Sequence, residues 1–187
     1  MIGAMDLRSG NVIRLEGALW TILERQHVKP GKGGAFVRIK LRDAVSGSVV
    51  DRTFRAGEKF DDVRLERTPM QFLYEAGGEY FFMNAETYDQ LGFSAEFLGK
   101  GVQYLKEGIT IDVMMNDGKA INYELPTFVV LRIERTDPGV RGDTASGGTK
   151  PATLESGAVV QVPLFIEEGE MIKVDTRTGS YVERVSS

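Results

Sequence analysis

Apolar and polar residues alternate with a period of two over most of this chain, a pattern that predicts strands rather than helices. In the clearest stretch Val37, Ile39 and Leu41 are interleaved with Arg38, Lys40 and Arg42. It predicts a strand over 35–43 with three cations on one face. The same reading gives strands over 11–15, 18–28 and 49–55, broken by Glu16-Gly17, a glycine-rich tip and Ser46-Gly47. Arg55-Ala56-Gly57-Glu58-Lys59-Phe60 closes this first unit, and strands at such spacing predict a small barrel.

A second unit starts near residue 65. Strands are predicted over 71–75, 79–84, 110–116 and 120–124, with Gly77-Gly78 and Asn116-Asp117-Gly118 as hairpin turns. Between them 94–98 reads as one helical turn, with Phe93, Phe97 and Leu98 closing a barrel end, and Pro126 marks the exit. A third unit carries strands over 128–134, 158–163, 171–175 and 181–185, turning at Glu167-Glu168-Gly169 and Thr176-Arg177-Thr178-Gly179-Ser180. Residues 139–153, rich in Gly, Ser, Thr and Pro, read as one long loop, a type that is usually functional or disordered. The chain is therefore all-β in three small barrels, 1–64, 65–128 and 129–187. The second and third have a common strand–turn–strand layout that points to a duplicated fold.

The tip between the strands over 18–28 and 35–43 is Lys29-Pro30-Gly31-Lys32-Gly33-Gly34. Pro30 fixes one backbone dihedral, while the glycines around Lys32 permit positive φ and leave no side chain to shield it. Arms of about ten residues would hold this tip roughly 30 Å from the far end of the hairpin, at about 3.3 Å per residue. Two readings fit these residues. One is an ordinary hairpin with a solvated loop. The other is a cationic finger that presents one lysine to something polyanionic, since residues 25–42 hold six Lys/Arg and no acid.

Composition narrows the classes. A chain of 187 residues with 42% hydrophobic and 27% charged residues is that of a soluble globular protein, and no apolar run approaches a membrane span. Asp6, Arg8 and Asn11 interrupt any signal-peptide pattern. The absence of cysteine removes disulfides, thiolate catalysis and cysteine-ligated zinc, and it fits a cytoplasmic protein. The net charge of −4 is uneven: residues 1–64 hold 12 Lys/Arg against 8 Asp/Glu, and residues 65–128 hold 4 against 10. Such a protein is a poor general nucleic-acid binder, but its basic first third can dock on an anion.

Catalytic constellations are sparse. His27, the one histidine, reads as a polar strand residue, and the adjacent acids Asp61-Asp62 and Glu167-Glu168 read as surface charge, since neighbouring strand residues face opposite sides and rarely form an acid/base couple. Asp117-Gly118 has no calcium-loop spacing, so no metal is expected. Gly31-Lys32-Gly33 lacks the earlier glycine, the following Ser/Thr and the helix of a nucleotide-binding loop. Trp20 is expected inside the first barrel, and Phe36 could stack on a base. No enzymatic activity and no cofactor are expected.

Val28-Lys29-Pro30-Gly31-Lys32-Gly33-Gly34-Ala35-Phe36 resembles the first-domain hairpin of the bacterial elongation factor P family. The final third is similar to the family's C-terminal signature in Lys150-Pro151-Ala152-Thr153-Leu154-Glu155-Ser156-Gly157, Val162-Pro163-Leu164-Phe165-Ile166, and Ile172-Lys173-Val174-Asp175-Thr176-Arg177-Thr178-Gly179-Ser180-Tyr181. Gly142-Asp143-Thr144 stands where the family has its Gly-Asp-Thr loop. The resemblance implies an SH3-like (KOW) domain and two OB-fold barrels in an L-shaped, tRNA-like arrangement. It implies a cytoplasmic, monomeric, non-enzymatic factor that binds the ribosome between the P and E sites and relieves stalling at consecutive prolines. The tip would reach the peptidyl transferase centre along the CCA end of P-site tRNA, with Gly142-Asp143-Thr144 near the E-site codon. Lys32 would be the position that a lysine-modifying enzyme extends. Arg25, Lys29, Arg38, Lys40 and Arg42 would then grip tRNA or rRNA phosphates.

Gly33 and Gly34 stand where the archaeal and eukaryotic counterpart has histidine near its hypusine, so deoxyhypusine is not expected. Lys32 also excludes the arginine-tip glycosylation of some bacterial members. Lysylation, another amine extension and an unmodified lysine stay open. A different RNA-binding module, for transcription or rRNA maturation, is the alternative function.

Overall fold

In a computed structural model, residues 1–28, 31, 33–139 and 148–186 are described. Short strands dominate, in sheets curled into partial barrels. By backbone contacts the chain forms two compact units, Met1–Arg67 with Met114–Asn122, and Thr68–Val113 with Tyr123–Ser187.

The first sheet contains β1 (Ile2–Gly3), β2 (Val12–Leu15), β3 (Ala18–Val28), β4 (Phe36–Asp43), β5 (Val49–Arg55) and β6 (Lys59–Asp62), in the order β1-β6-β2-β3-β4-β5. The alternation seen in the sequence decides which face is buried. Val37, Ile39 and Leu41 are fully buried with Ile13, Ile22, Ala4 and Leu7, and Phe54 meets Phe60 edge to face at 4.9 Å. Each buried Val, Leu or Ile side chain stabilises the fold by about 1.5–3 kcal/mol. Glu16 and Gly17 both take positive φ, 53° and 80°, the tight turn that joins twisted antiparallel strands. Trp20 packs against this core, as expected, but is only half-buried. Arg52 lies over its ring, 5.9 Å from the centroid, while donating to both carboxylate oxygens of Glu16 at 3.0 and 3.1 Å.

The second sheet consists of β7 (Glu66–Ala76), β8 (Glu79–Asn84), β9 (Gln90–Ser94), β10 (Thr110–Asn116) and β11 (Lys119–Glu124), in the order β11-β10-β7-β8-β9. Between β9 and β10 lie α1 (Ala95–Leu98) and a 3-10 turn, Gly99–Tyr104. The Ser94 hydroxyl caps α1 by accepting from the Phe97 amide at 3.1 Å. As expected, Phe93 and Leu98 are buried here, and Phe93 stacks on Phe97 at 4.9 Å. β9 escaped the sequence reading because it is five residues long and contains Gly92.

The third sheet is β12 (Phe128–Thr136), β13 (Thr149–Leu154), β14 (Val159–Pro163), β15 (Met171–Asp175) and β16 (Ser180–Val185), in the order β14-β13-β12-β15-β16. Its core of Leu131, Ile133, Leu154, Val162, Ile166, Ile172 and Val174 also takes in Tyr104 from the 3-10 turn. β13 corrects the long loop expected over 139–153. Residues 149–153 are strand, and Lys150, Ala152 and Leu154 alternate inward. Lysine at an inward position disguised the period. Its methylene stem is buried while its ammonium reaches the Asp137 carbonyl at 2.5 Å. Pro151 is tolerated because it lies beyond Thr136↔Ala152, the last pair with β12, and its carbonyl accepts from the Thr136 hydroxyl at 2.9 Å.

Candidate nucleic-acid interface on the basic hairpin

β3 and β4 pair antiparallel from Trp20↔Asp43 to Val28↔Phe36, with a bulge between Ile22 and Glu24. β5 pairs with the other edge of β4 from Phe36↔Arg55 to Arg42↔Val49. Residues directly opposite one another share a face. The outer face is therefore a grid of four rows: Val28–Phe36–Arg55 nearest the tip, then Gln26–Arg38–Thr53, Glu24–Lys40–Asp51 and Thr21–Arg42–Val49.

This grid unites Arg38, Lys40 and Arg42 in one column on exposed sheet, as alternation requires. It adds Arg55, which the sequence reading did not single out. It also brings in two acids that a window of residues 25–42 cannot contain. Glu24 lies 3.8 Å from the Lys40 ammonium, and Asp51 lies 3.7 Å from the Arg38 guanidinium. Together with Gln26 they line a shallow hollow of about 160 Å³. Only the register could have found them, since they come from two neighbouring strands. Among the described residues neither Arg42 nor Arg55 has an ion-pair partner.

Arg25 is placed elsewhere. The bulge sets it opposite Ile39, on the inward side of the ladder, and its guanidinium donates to the Met5 carbonyl. It therefore ties the hairpin to the N-terminal segment instead of extending the cationic column. His27 is opposite Val37 and exposed.

At the tip Gly31, Gly33 and Gly34 are exposed, and a Cβ on any of them would meet nothing within 4 Å. Gly33 has φ +140°, a conformation that side chains rarely adopt, so the backbone itself calls for glycine there. Lys29, Pro30 and Lys32 lie outside the described residues, as do Gly142, Asp143 and Thr144.

Fixed backbone amides hold the far end of the hairpin. Asp43 accepts from Ser46 and Val45, both at 2.8 Å, and these bonds hold its carboxyl below the usual aspartate value. Among the described residues no three His, Asp or Glu side chains converge as a metal site requires. No described helix is long and apolar enough to cross a membrane. The grid offers exposed guanidinium and ammonium groups, the donors that an anion requires.

Three family models match in sequence order. Elongation factor P (EF-P) KOW-like domain covers residues 3–60, Elongation factor P (EF-P) OB domain covers 65–123, and Elongation factor P, C-terminal covers 129–184. A protein called elongation factor P from Pelotomaculum thermopropionicum is 56% identical over 99% of this chain and 100% of its own. Another of that name from Coprothermobacter proteolyticus is 54% identical over the same shares. A solved structure described as eukaryotic translation initiation factor 5A from Methanococcus jannaschii matches with TM-score 0.51 and 19% identity, over 65% of this chain and 94% of that one. At that identity the likeness speaks for the fold.

Proposed function

The chain belongs to the elongation factor P family, and we propose that it acts on the ribosome as a factor that helps peptide-bond formation where consecutive prolines stall it. The observation that carries this reading is a long hairpin with an exposed cationic column, on a chain whose net charge is −4. A patch of that kind can dock on RNA while the rest of the protein stays off it.

In this reading the hairpin lies along P-site tRNA, with Arg38 and Arg42 on phosphates and Lys32 near the reacting ends. Arg25 supports the hairpin's base. Proline is a constrained substrate, both as attacking amine and as peptidyl donor, so the obstacle is poor geometry. Holding reacting ends in a productive arrangement contributes on the order of 7–11 kcal/mol in favourable intramolecular systems, of which such a factor need supply only a small part. Lys32 provides a compact, flexible cation. An added amine-bearing group would lengthen its reach, and Gly31, Gly33 and Gly34 keep the tip thin. The catalyst is the ribosome, and this chain performs no reaction of its own. Gly142-Asp143-Thr144 would meet the E-site codon, from a C-terminal domain bounded at 129–187, with 1–64 carrying the hairpin and 65–128 between them. The protein works as a cytoplasmic monomer.

Lys32→Ala should abolish rescue of a Pro-Pro-Pro translation reporter while the circular-dichroism melt stays unchanged. Full rescue by that variant would sink the proposal.

A further inference from the structure

We infer that Glu24 and Asp51 act as built-in competitors for phosphate on the hairpin's outer face and so set its selectivity among RNAs. This rests on the reading that the face binds RNA.

Row by row from the tip, the formal charges of the grid are +1, +1, −1 and +1, because Glu24 and Asp51 flank Lys40 on both sides. Lys40 is thus more than neutralised within its own row, and Asp51 also reaches diagonally to Arg38. Neither ion pair is tight. At 3.7 and 3.8 Å, with every partner's side chain 43–56% exposed, such pairs do little for folding. Their effect falls on whatever approaches the cations.

Alternate residues of a strand are about 6.7 Å apart, so the acidic row lies within a screening length of about 8 Å from the Arg38 row above and the Arg42 row below. A phosphate chain that follows the column meets attraction, then repulsion, then attraction. Arg38 and Arg42, about 13 Å apart, remain as two anchors on either side of that barrier. An RNA of fixed shape, already held at another point of the protein, can place phosphates at both anchors. A flexible polyanion without such help gains less than the four cations suggest. Glu24 and Asp51 are therefore specificity-determining residues.

The test uses the full chain and its E24Q/D51N double variant, with poly(U) and 70S ribosomes as probes, across 50–300 mM KCl. The double variant should bind poly(U) about tenfold more tightly near 100 mM salt. Its log–log salt slope should steepen by about 1.4, as two more phosphates displace counterions from a single strand. Ribosome affinity should rise less, so the preference for ribosomes over poly(U) falls several-fold. Because all four groups are exposed, the melting curve should not move, and the single variants should each give part of the gain. Unchanged poly(U) affinity and slope in the double variant overturns the inference, even where the wild type rescues the proline reporter. Failure of the wild type to rescue that reporter would sink the ribosomal reading instead and leave the poly(U) result to stand.

Discussion

Lys150 is the one charged side chain buried among the described residues, and its position follows from β13 alternation: positions 150, 152 and 154 all point inward. Nothing in Thr-Lys-Pro-Ala-Thr marks that lysine as inward, because a polar, proline-containing stretch after a glycine-rich one looks like loop. Its ammonium ends on the Asp137 carbonyl, joining the chain just beyond β12 to β13. Lys150→Met keeps most of the stem and removes the donor. A loss of about 1.5–3 kcal/mol is expected, the worth of a hydrogen bond involving a charged group, and urea unfolding would measure it. At the hairpin, Lys32 could be singled out from residue types alone, whereas Arg25 could not be separated from Arg38, Lys40 and Arg42. The bulge after Ile22 decides that difference, and it turns on one residue of register.

Among the elements, the 3-10 turn Gly99–Tyr104 depends on a close approach that no periodicity reveals. The Tyr123 hydroxyl of β11 donates to the Leu98 carbonyl, and a Cβ on Gly101 would fall 2.0 Å from that oxygen. Gly101→Ala therefore has to displace the ring and should destabilise by about 1–3 kcal/mol in a thermal or urea melt. Gly57→Ala is the control. It meets nothing within 4 Å, has no positive φ, and should change stability by less than about 0.5 kcal/mol. β4 was legible because its alternation is unbroken, and the turns at Glu16-Gly17 and Asp117-Gly118 declared themselves by composition. β1 and β6 were missed as strands because Ile2–Gly3 is too short to show a period and Lys59–Asp62 holds a single apolar residue, Phe60, so that pairing alone defines them.

At the scale of the molecule, Lys106 before β10 forms an ion pair with Glu155 after β13 at 2.9 Å, and the same carboxylate accepts from the Arg132 amide at 2.9 Å. Burial pushes the Glu155 carboxyl up, but Lys106 and the amide outweigh it and hold the group below the ordinary 4.5. A carboxyl lowered in the folded state lends stability in full above its unfolded value. That stability is lost as pH falls through the lowered folded value. The melting temperature should accordingly drop as pH falls below 4.5, and Glu155→Gln should flatten part of that decline in a pH series of melts. A decline identical in the variant would remove Glu155 from the account.

Three barrels of strands, a basic hairpin with a glycine-set lysine, and the family itself were all determined by local order in the chain. Alternation, turn composition and motif spacing are properties of neighbouring residues, and they survive without knowledge of what touches what. The tertiary structure alone decided that Glu24 and Asp51 share the cationic face, that Arg25 leaves it, and that Lys150 lies inside. Each of those placements is fixed by pairing between strands distant in sequence, where a shift of one residue carries a side chain to the opposite face.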